Sequence, residues 1–334
     1  MSLGVNFGGA AKALARRVLA APPAYPLLRA RALRGGAAAI LCYHTLGPDA
    51  ETMDAWTVLR VADFRAQIDA LRADWDIVPL DAALAPAPPG ARPRAALTFD
   101  DGDAGLHRHL LPLIEAERLP VTIYVATAQI EAGRPYWFDR VMNALQAPGP
   151  FTLDLAGHGL GAPAFGAARG PARWAEVSAL LEALKRLDPA PREAAADAIC
   201  AAAPPGPRGA FTPLQPLTRA EFDAIARHPL ATIGAHSHGH ELLDRIPPAA
   251  ARASMTRSRA LLEDWTGRPV RHFAYPNGNH GGETRALAAA AGFASATILG
   301  DRLCRAGDDP YALPRLAIGR YDDAERLRLR LVEV

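Results

Sequence analysis

Short apolar runs rich in aliphatic and β-branched residues alternate along this chain with longer stretches whose apolar positions recur at helical spacing. The runs predict strands over Ala38–Tyr43, Asp76–Pro79, Ala95–Phe99, Val121–Val125, Ala231–Ala235, Arg271–Tyr275 and Ala294–Leu299. Between them, helices are predicted over Val61–Ala73, Gly105–Glu117, Thr218–Arg227, Pro248–Trp265 and Glu283–Ala291. Strand followed by helix, repeated around seven times, argues for an α/β fold with a parallel sheet wrapped by helices, and an incomplete barrel is its closed form.

The rhythm breaks between about Pro148 and Leu217, where Gly, Ala and Pro dominate and helical patches recur over Trp174–Leu187 and Arg192–Ala203. This stretch reads as a mostly helical insertion, too poor in large apolar residues to build a core of its own. Ala85–Pro93 and Ala203–Gly209 read as Pro-rich connectors. The resulting division is an N-terminal extension over 1–37, a barrel over 38–320 with its insertion at about 148–217, and a tail over 321–334.

Composition excludes classes rather than choosing one. Half of the 334 residues are apolar and 22% are charged, which is wrong for a disordered or fibrous chain. A net charge of +2 argues against nucleic acid as the main partner. It fits an uncharged ligand better than a polyanion. Cys42, Cys200 and Cys304 lie far apart without a C-x-x-C pair, so no disulfide framework or thiolate zinc site is expected, and a reducing, cytoplasmic setting fits. Arginines interrupt the apolar residues near the N-terminus, so no leader peptide is expected there. The competing reading makes residues 10–34 an Arg-rich segment lying on a membrane surface.

Three motifs carry chemistry. In Leu97-Thr98-Phe99-Asp100-Asp101-Gly102 an apolar strand ends in adjacent carboxylates, at the end of a parallel strand where active sites of α/β folds are built. In Ile233-Gly234-Ala235-His236-Ser237-His238-Gly239-His240 a second strand runs into clustered imidazoles, and one helical turn sets His236 and His240 on one side, ready to share a metal. His107 and His109 read instead as a solvated helix surface. In Arg271-His272-Phe273-Ala274-Tyr275-Pro276-Asn277-Gly278, alternation places Arg271, Phe273 and Tyr275 on one face, and the Pro-Asn-Gly turn exposes backbone N–H groups suited to an oxyanion. Two imidazoles and one carboxylate form a three-ligand set with room for water, and the spare carboxylate is what a general base requires. Metal-assisted hydrolysis is the expected chemistry. An iron oxygenase uses the same ligand count but has no need of the second carboxylate.

These residues resemble, motif by motif and in order, the polysaccharide deacetylase family, also known as the NodB homology domain or carbohydrate esterase family 4. Thr98 to Gly102 is similar to its T-F-D-D-G, His236 to His240 to H-[ST]-x-x-H, and Arg271 to Gly278 to R-x-F-x-x-P-x-G, a likeness spanning roughly residues 38–317. The resemblance implies a distorted (β/α)7 barrel and removal of N-acetyl groups from N-acetylhexosamine units of a polysaccharide, an oligosaccharide or a glycan precursor. It implies Asp100 as general base, held and tuned by Arg271, and Asp101, His236 and His240 as ligands of a divalent metal. Zinc is the default metal, with cobalt, nickel or manganese able to use the same ligands. It further implies the Asn277 N–H as oxyanion donor, with Tyr275 and Pro276 lining the acetyl pocket.

The chain lacks the family's usual C-terminal Leu-x-x-His, reading Asp-Asp-Pro-Tyr-Ala-Leu-Pro-Arg-Leu-Ala over 308–317. A subgroup acting on exported poly-N-acetylglucosamine ends an early strand in Tyr-His, and Cys42-Tyr43-His44-Thr45 resembles that feature, which makes His44 the candidate general acid. The other reading of His44 is a buried imidazole bonded to a nearby carbonyl. The alternatives to a glycan deacetylase are a non-catalytic glycan-binding homologue and a deacetylase of another N-acylated small molecule.

Overall fold

The computed structural model describes residues 17–21, 23–34, 36–88, 90–206 and 214–333. Seven parallel strands close into a barrel: β1 (Ala39–Tyr43), β2 (Arg94–Phe99), β3 (Val121–Val125), β4 (Ala231–Ala235), β5 (His272–Ala274), β6 (Ser295–Gly300) and β7 (Leu313–Ala317). They lie in the spatial order β1-β7-β6-β5-β4-β3-β2, and β2 returns to β1 through the register Ile40↔Ala96 and Cys42↔Thr98. Six of the seven predicted strands are staves of this barrel. Asp76–Ile77 is instead a two-residue edge strand on β2. The seventh stave is Leu313–Ala317, whose Pro314 and Arg315 hide it from the sequence pattern.

Most positions on both faces of the barrel strands are buried, and the pleat assigns the two faces opposite tasks. Leu41, Leu97, Ile123, Ile233 and Phe273 point outward into one core with Phe64, Ile68, Phe222, Met255 and Leu262 from the surrounding helices. Ile40, Ala96, Tyr124, Ala274 and Leu313 form the lumen cluster, closed at the strands' N-terminal end by Leu80 and Ala83 of a short helix. A Cβ on Gly234 would stand 2.5 Å from Tyr124 Cδ1, so this glycine is the space that the tyrosine ring occupies in the lumen.

The insertion lies between β3 and β4. Contrary to expectation it has a core, because it recruits residues from outside the 148–217 stretch. Val177, Leu180, Leu184 and Ile199 pack with Trp137, Val141 and Met142 of the preceding helix and with Met53, Ala55 and Val58 of the loop after β1. Its main helices are α1 (Trp137–Ala144), α2 (Pro171–Leu184) and α3 (Pro189–Ala202).

Near the N-terminus, the helix Ala24–Ala32 buries Tyr25 and Ala32 against the barrel core, with the Arg328 guanidinium 4.2 Å from the Tyr25 ring. Within the described part of the expected membrane-surface segment Tyr25 and Ala32 thus face the protein, while Val18 and Leu27 stay exposed. Residues 1–16, part of the 203–209 connector and residue 334 lie outside the described residues. No helix among the described residues is long and apolar enough to cross a membrane.

Candidate active site

The site is assembled where the strands end. Asp100 continues β2 with lumen-facing parity, its N–H bonded to the Tyr43 carbonyl at 3.0 Å. Asp101 then adopts a left-handed backbone, φ 73°, which breaks the alternation and turns its carboxylate toward the neighbouring imidazoles. That turn is pinned by Gln129 Nε2, which donates to the Asp101 carbonyl at 2.8 Å. His236 extends β4 in the same way, its N–H bonded to the Val125 carbonyl at 3.0 Å. The expected helical turn from His236 to His240 is absent. An irregular loop with Ser237 and His240 at positive φ brings the two rings to 4.9 Å between centroids.

His236 Nδ1 donates to the Ala274 carbonyl at 2.8 Å, which leaves Nε2 as the free lone pair facing the site. His236 Nε2 lies 3.4 Å and His240 Nε2 3.2 Å from Asp101 Oδ1, and the three ligand atoms fall within 4.8 Å of one another. Asp101 Oδ1 is buried without a hydrogen-bond partner. A buried carboxylate oxygen left orphaned between two imidazole nitrogens fits a divalent cation. Burial would raise the Asp101 pKa, but the two imidazoles outweigh it and hold the carboxylate well below its usual range.

Asp100 takes a different partner. Arg315, fully buried on β7, donates Nη1 to Oδ1 at 2.7 Å and Nη2 to Oδ2 at 2.6 Å, with a further bond to Thr98 Oγ1 at 3.0 Å. The guanidinium lies over the Tyr124 ring at 5.2 Å. Burial pushes the Asp100 pKa up, and Arg315 followed by His236 reverses this, so the carboxyl stays below its ordinary value.

This pairing corrects the expectation for Arg271. Arg271 precedes β5 and so stands at the opposite end of the barrel, exposed and paired with Asp81 at 3.0 Å. Four residues of extended chain, roughly 13 Å, separate it from the level of Tyr275. Tyr275 and Pro276 are displaced from their expected places as well. Tyr275 shares outward parity with Phe273, and its hydroxyl donates to the Tyr311 carbonyl at 3.1 Å; Pro276 is buried, and neither lines the cleft. Asn277 does line it, at φ 58°, its Oδ1 accepting from Lys185 Nζ at 2.7 Å.

His44 stands at the end of β1 and lines the same cleft. Its Nδ1 is buried and bonded to nothing, so the carbonyl partner of the alternative reading is missing. Burial lowers its pKa, only partly offset by Asp101 and Asp100. Cys42, His44 and Asp100 form a second group of ligand-type atoms within 4.8 Å. Both oxygens of Asp100 already face a guanidinium, and burial pushes the Cys42 thiol well up, so this group suits protons rather than a cation.

The cleft holds about 180 Å³ and is walled by Trp56 of the loop after β1, by Trp137 and Phe138 of α1, and by Trp174, Leu181 and Lys185 of the insertion. Phe138 and Tyr136 pack on the His240 ring, at 4.8 and 5.3 Å between centroids, so the segment leading into the insertion also positions that imidazole. None of these wall residues stands out in the sequence, because they meet only through tertiary structure. Arg315 likewise carries no local motif.

Residues 206–296 match the family model of polysaccharide deacetylases, a segment that includes His236, His240 and Asn277. No curated protein matches the chain by sequence. Among solved structures, a Streptococcus pyogenes deacetylase, PplD, in complex with acetate aligns at TM-score 0.57 and 14% identity, covering 89% of this chain and 99% of that one. IcaB from Ammonifex degensii aligns at TM-score 0.56 and 17% identity, covering 88% and 97%. A de-N-acetylase from Aggregatibacter actinomycetemcomitans aligns at 0.56 and 12%, covering 87% and 98%. Residues 206–296 thus carry the polysaccharide deacetylase family's sequence, set within the (β/α)7 barrel that this chain shares with those solved structures.

Proposed function

We propose that the chain is a metal-dependent hydrolase that removes N-acetyl groups from N-acetylhexosamine units of a glycan. The observation that carries this reading is the division of labour between two adjacent carboxylates, Asp100 bound to Arg315 and Asp101 facing the histidine pair. An iron oxygenase with the same three ligands gives the second buried carboxylate nothing to do.

Asp101, His236 and His240 would hold the divalent ion. When bound, such an ion polarises the amide carbonyl and lowers the pKa of a coordinated water. Asp100, kept ionised by Arg315, accepts the proton of the attacking water. The Asn277 N–H, carried on a left-handed turn at the cleft wall, donates to the oxyanion that develops on the carbonyl. His44, on the cleft wall beside Asp100, relays to the departing amine the proton that Asp100 has taken from the water, so that the C–N bond breaks, Asp100 is ionised again, and acetate and a free amino sugar result. The aromatic walls offer stacking surfaces for pyranose rings on either side of the reacting unit.

The test is acetate release from N-acetylated oligosaccharides by the full chain, with and without a chelator, and by Asp100→Asn. Release that disappears with the chelator and in the variant supports the assignment. Full activity in Asp100→Asn overturns the mechanism. Oligosaccharide binding without acetate release favours the non-catalytic homologue.

A further inference from the structure

Arg192 lies one turn into α3, on the wall of the same cleft as Asp101 and His240. Its guanidinium carbon sits 5.2 Å from the centroid of the Trp137 ring. The group is half-buried, and its Nε is fully enclosed without a hydrogen-bond partner. Burial pulls its pKa below the ordinary value, against a weaker opposing pull from Glu193. Glu193 itself is bonded by Arg140. Among the described residues, no carboxylate lies within ion-pair distance of Arg192.

The other charges of the cleft are matched. Arg315 neutralises Asp100, Asp101 faces His236 and His240, and Lys185 sits 2.6 Å from Glu182. Arg192 is the cation left over. A guanidinium half withdrawn from water gains from an anion that meets it, and its fork matches a carboxylate or phosphate in two-point contact. Contact with the indole restrains the guanidinium in advance, so less side-chain freedom is lost when such a group arrives. The small net charge of the whole chain has no bearing on one unmatched cation inside a groove.

We propose that Arg192 reads an acidic group, a carboxylate or a phosphate, on the N-acetylated sugar or its neighbour. The inference rests on the glycan deacetylase reading of this cleft and narrows its substrate class to acidic glycans or phosphorylated sugars.

The test is calorimetric titration of the full chain with two matched pairs. One pair is a neutral N-acetylglucosamine tetramer against an alternating N-acetylglucosamine and glucuronate tetramer. The other is N-acetylglucosamine against its 1-phosphate. We expect the acidic member of at least one pair to bind about tenfold tighter, the pair that responds identifying carboxylate or phosphate as the source. In Arg192→Gln the acidic-to-neutral ratio should fall about tenfold. Arg192→Lys, which keeps the charge and loses the fork, should lose part of it and serves if the glutamine variant does not fold. Equal binding of both members, no binding by either acidic ligand, or an undiminished preference in both variants would overturn the proposal. Acetate release is followed in parallel. Its absence counts against the deacetylase reading, whereas an unchanged ratio counts only against Arg192.

Discussion

Arg315 grips Asp100 by both oxygens, at 2.7 and 2.6 Å, in a pair with almost no exposure to solvent. A buried bidentate pair behaves as a unit, because removing one partner strands a charge in low dielectric at a cost of about 3–5 kcal/mol. Arg315→Met should therefore lower the melting temperature clearly and abolish acetate release. Arg315→Lys keeps the charge but not the fork, and we expect kcat/KM to fall roughly 10–100-fold. Arg271→Gln, which removes only an exposed contact to Asp81, should shift stability by less than about 0.5 kcal/mol and leave activity in place. A reversed ranking of the two arginines would return Arg271 to the role its motif suggests.

Asp100, Asp101, His236 and His240 were legible in the sequence because each pair is local: a short apolar run followed directly by its reactive groups. Arg315 was not. It sits in Leu-Pro-Arg-Leu-Ala, where a proline and a lone cation argue against a strand, and only closure of the barrel between Gly300 and Leu41 makes that segment a stave. Tyr275 illustrates a second limit. Alternation sets Phe273 and Tyr275 on one face, as observed, yet both faces of a barrel strand are buried and the pattern does not say which one looks inward. The insertion's core was hidden for a third reason, since it joins Met53 and Trp137 to Val177 and Ile199 across long separations in sequence.

The orphaned Asp101 oxygen between two imidazoles predicts that metal and fold are linked. Zinc at 100 times its dissociation constant should stabilise the chelator-treated chain by about 2.7 kcal/mol. His240→Ala should reduce bound metal from near one equivalent toward zero, read by elemental analysis, and should remove most of the zinc-induced rise in melting temperature. An unchanged metal content in that variant would dismiss the ligand set.

Gly234 has a role that involves no chemistry of its own. A Cβ there meets the Tyr124 ring at 2.5 and 2.7 Å and the His272 carbonyl at 3.0 Å, and the Tyr124 ring lies beneath the guanidinium that holds Asp100. Gly234→Ala should destabilise the chain by about 1–3 kcal/mol through overpacking. It should also lower kcat more than it raises KM, because Arg315 loses its platform while the cleft walls stay in place. Wild-type kcat in a stable variant would show that the tyrosine does not support the pair.

Asp139, at the third position of α1, is buried with Oδ2 unpartnered, and burial together with the nearby charges of Asp103 and Asp101 pushes its pKa well above the ordinary value. The sign follows from proton linkage. The folded chain keeps a proton on this carboxyl that the unfolded chain has released above about pH 4, so stability is fully present below the unfolded pKa and declines as pH rises through the folded one. Asp139→Asn keeps the shape and removes the ionisation. We expect it to raise the melting temperature at neutral pH and to flatten the decline of stability with rising pH, because the ionisation that penalises the fold is gone. Denaturant titrations at several pH values give both quantities. A variant as pH-sensitive as the parent, or less stable at neutral pH, would mean that the Asp139 carboxylate is held ionised by a favourable partner, and that the helix bearing Trp137 and Phe138 depends on that charge.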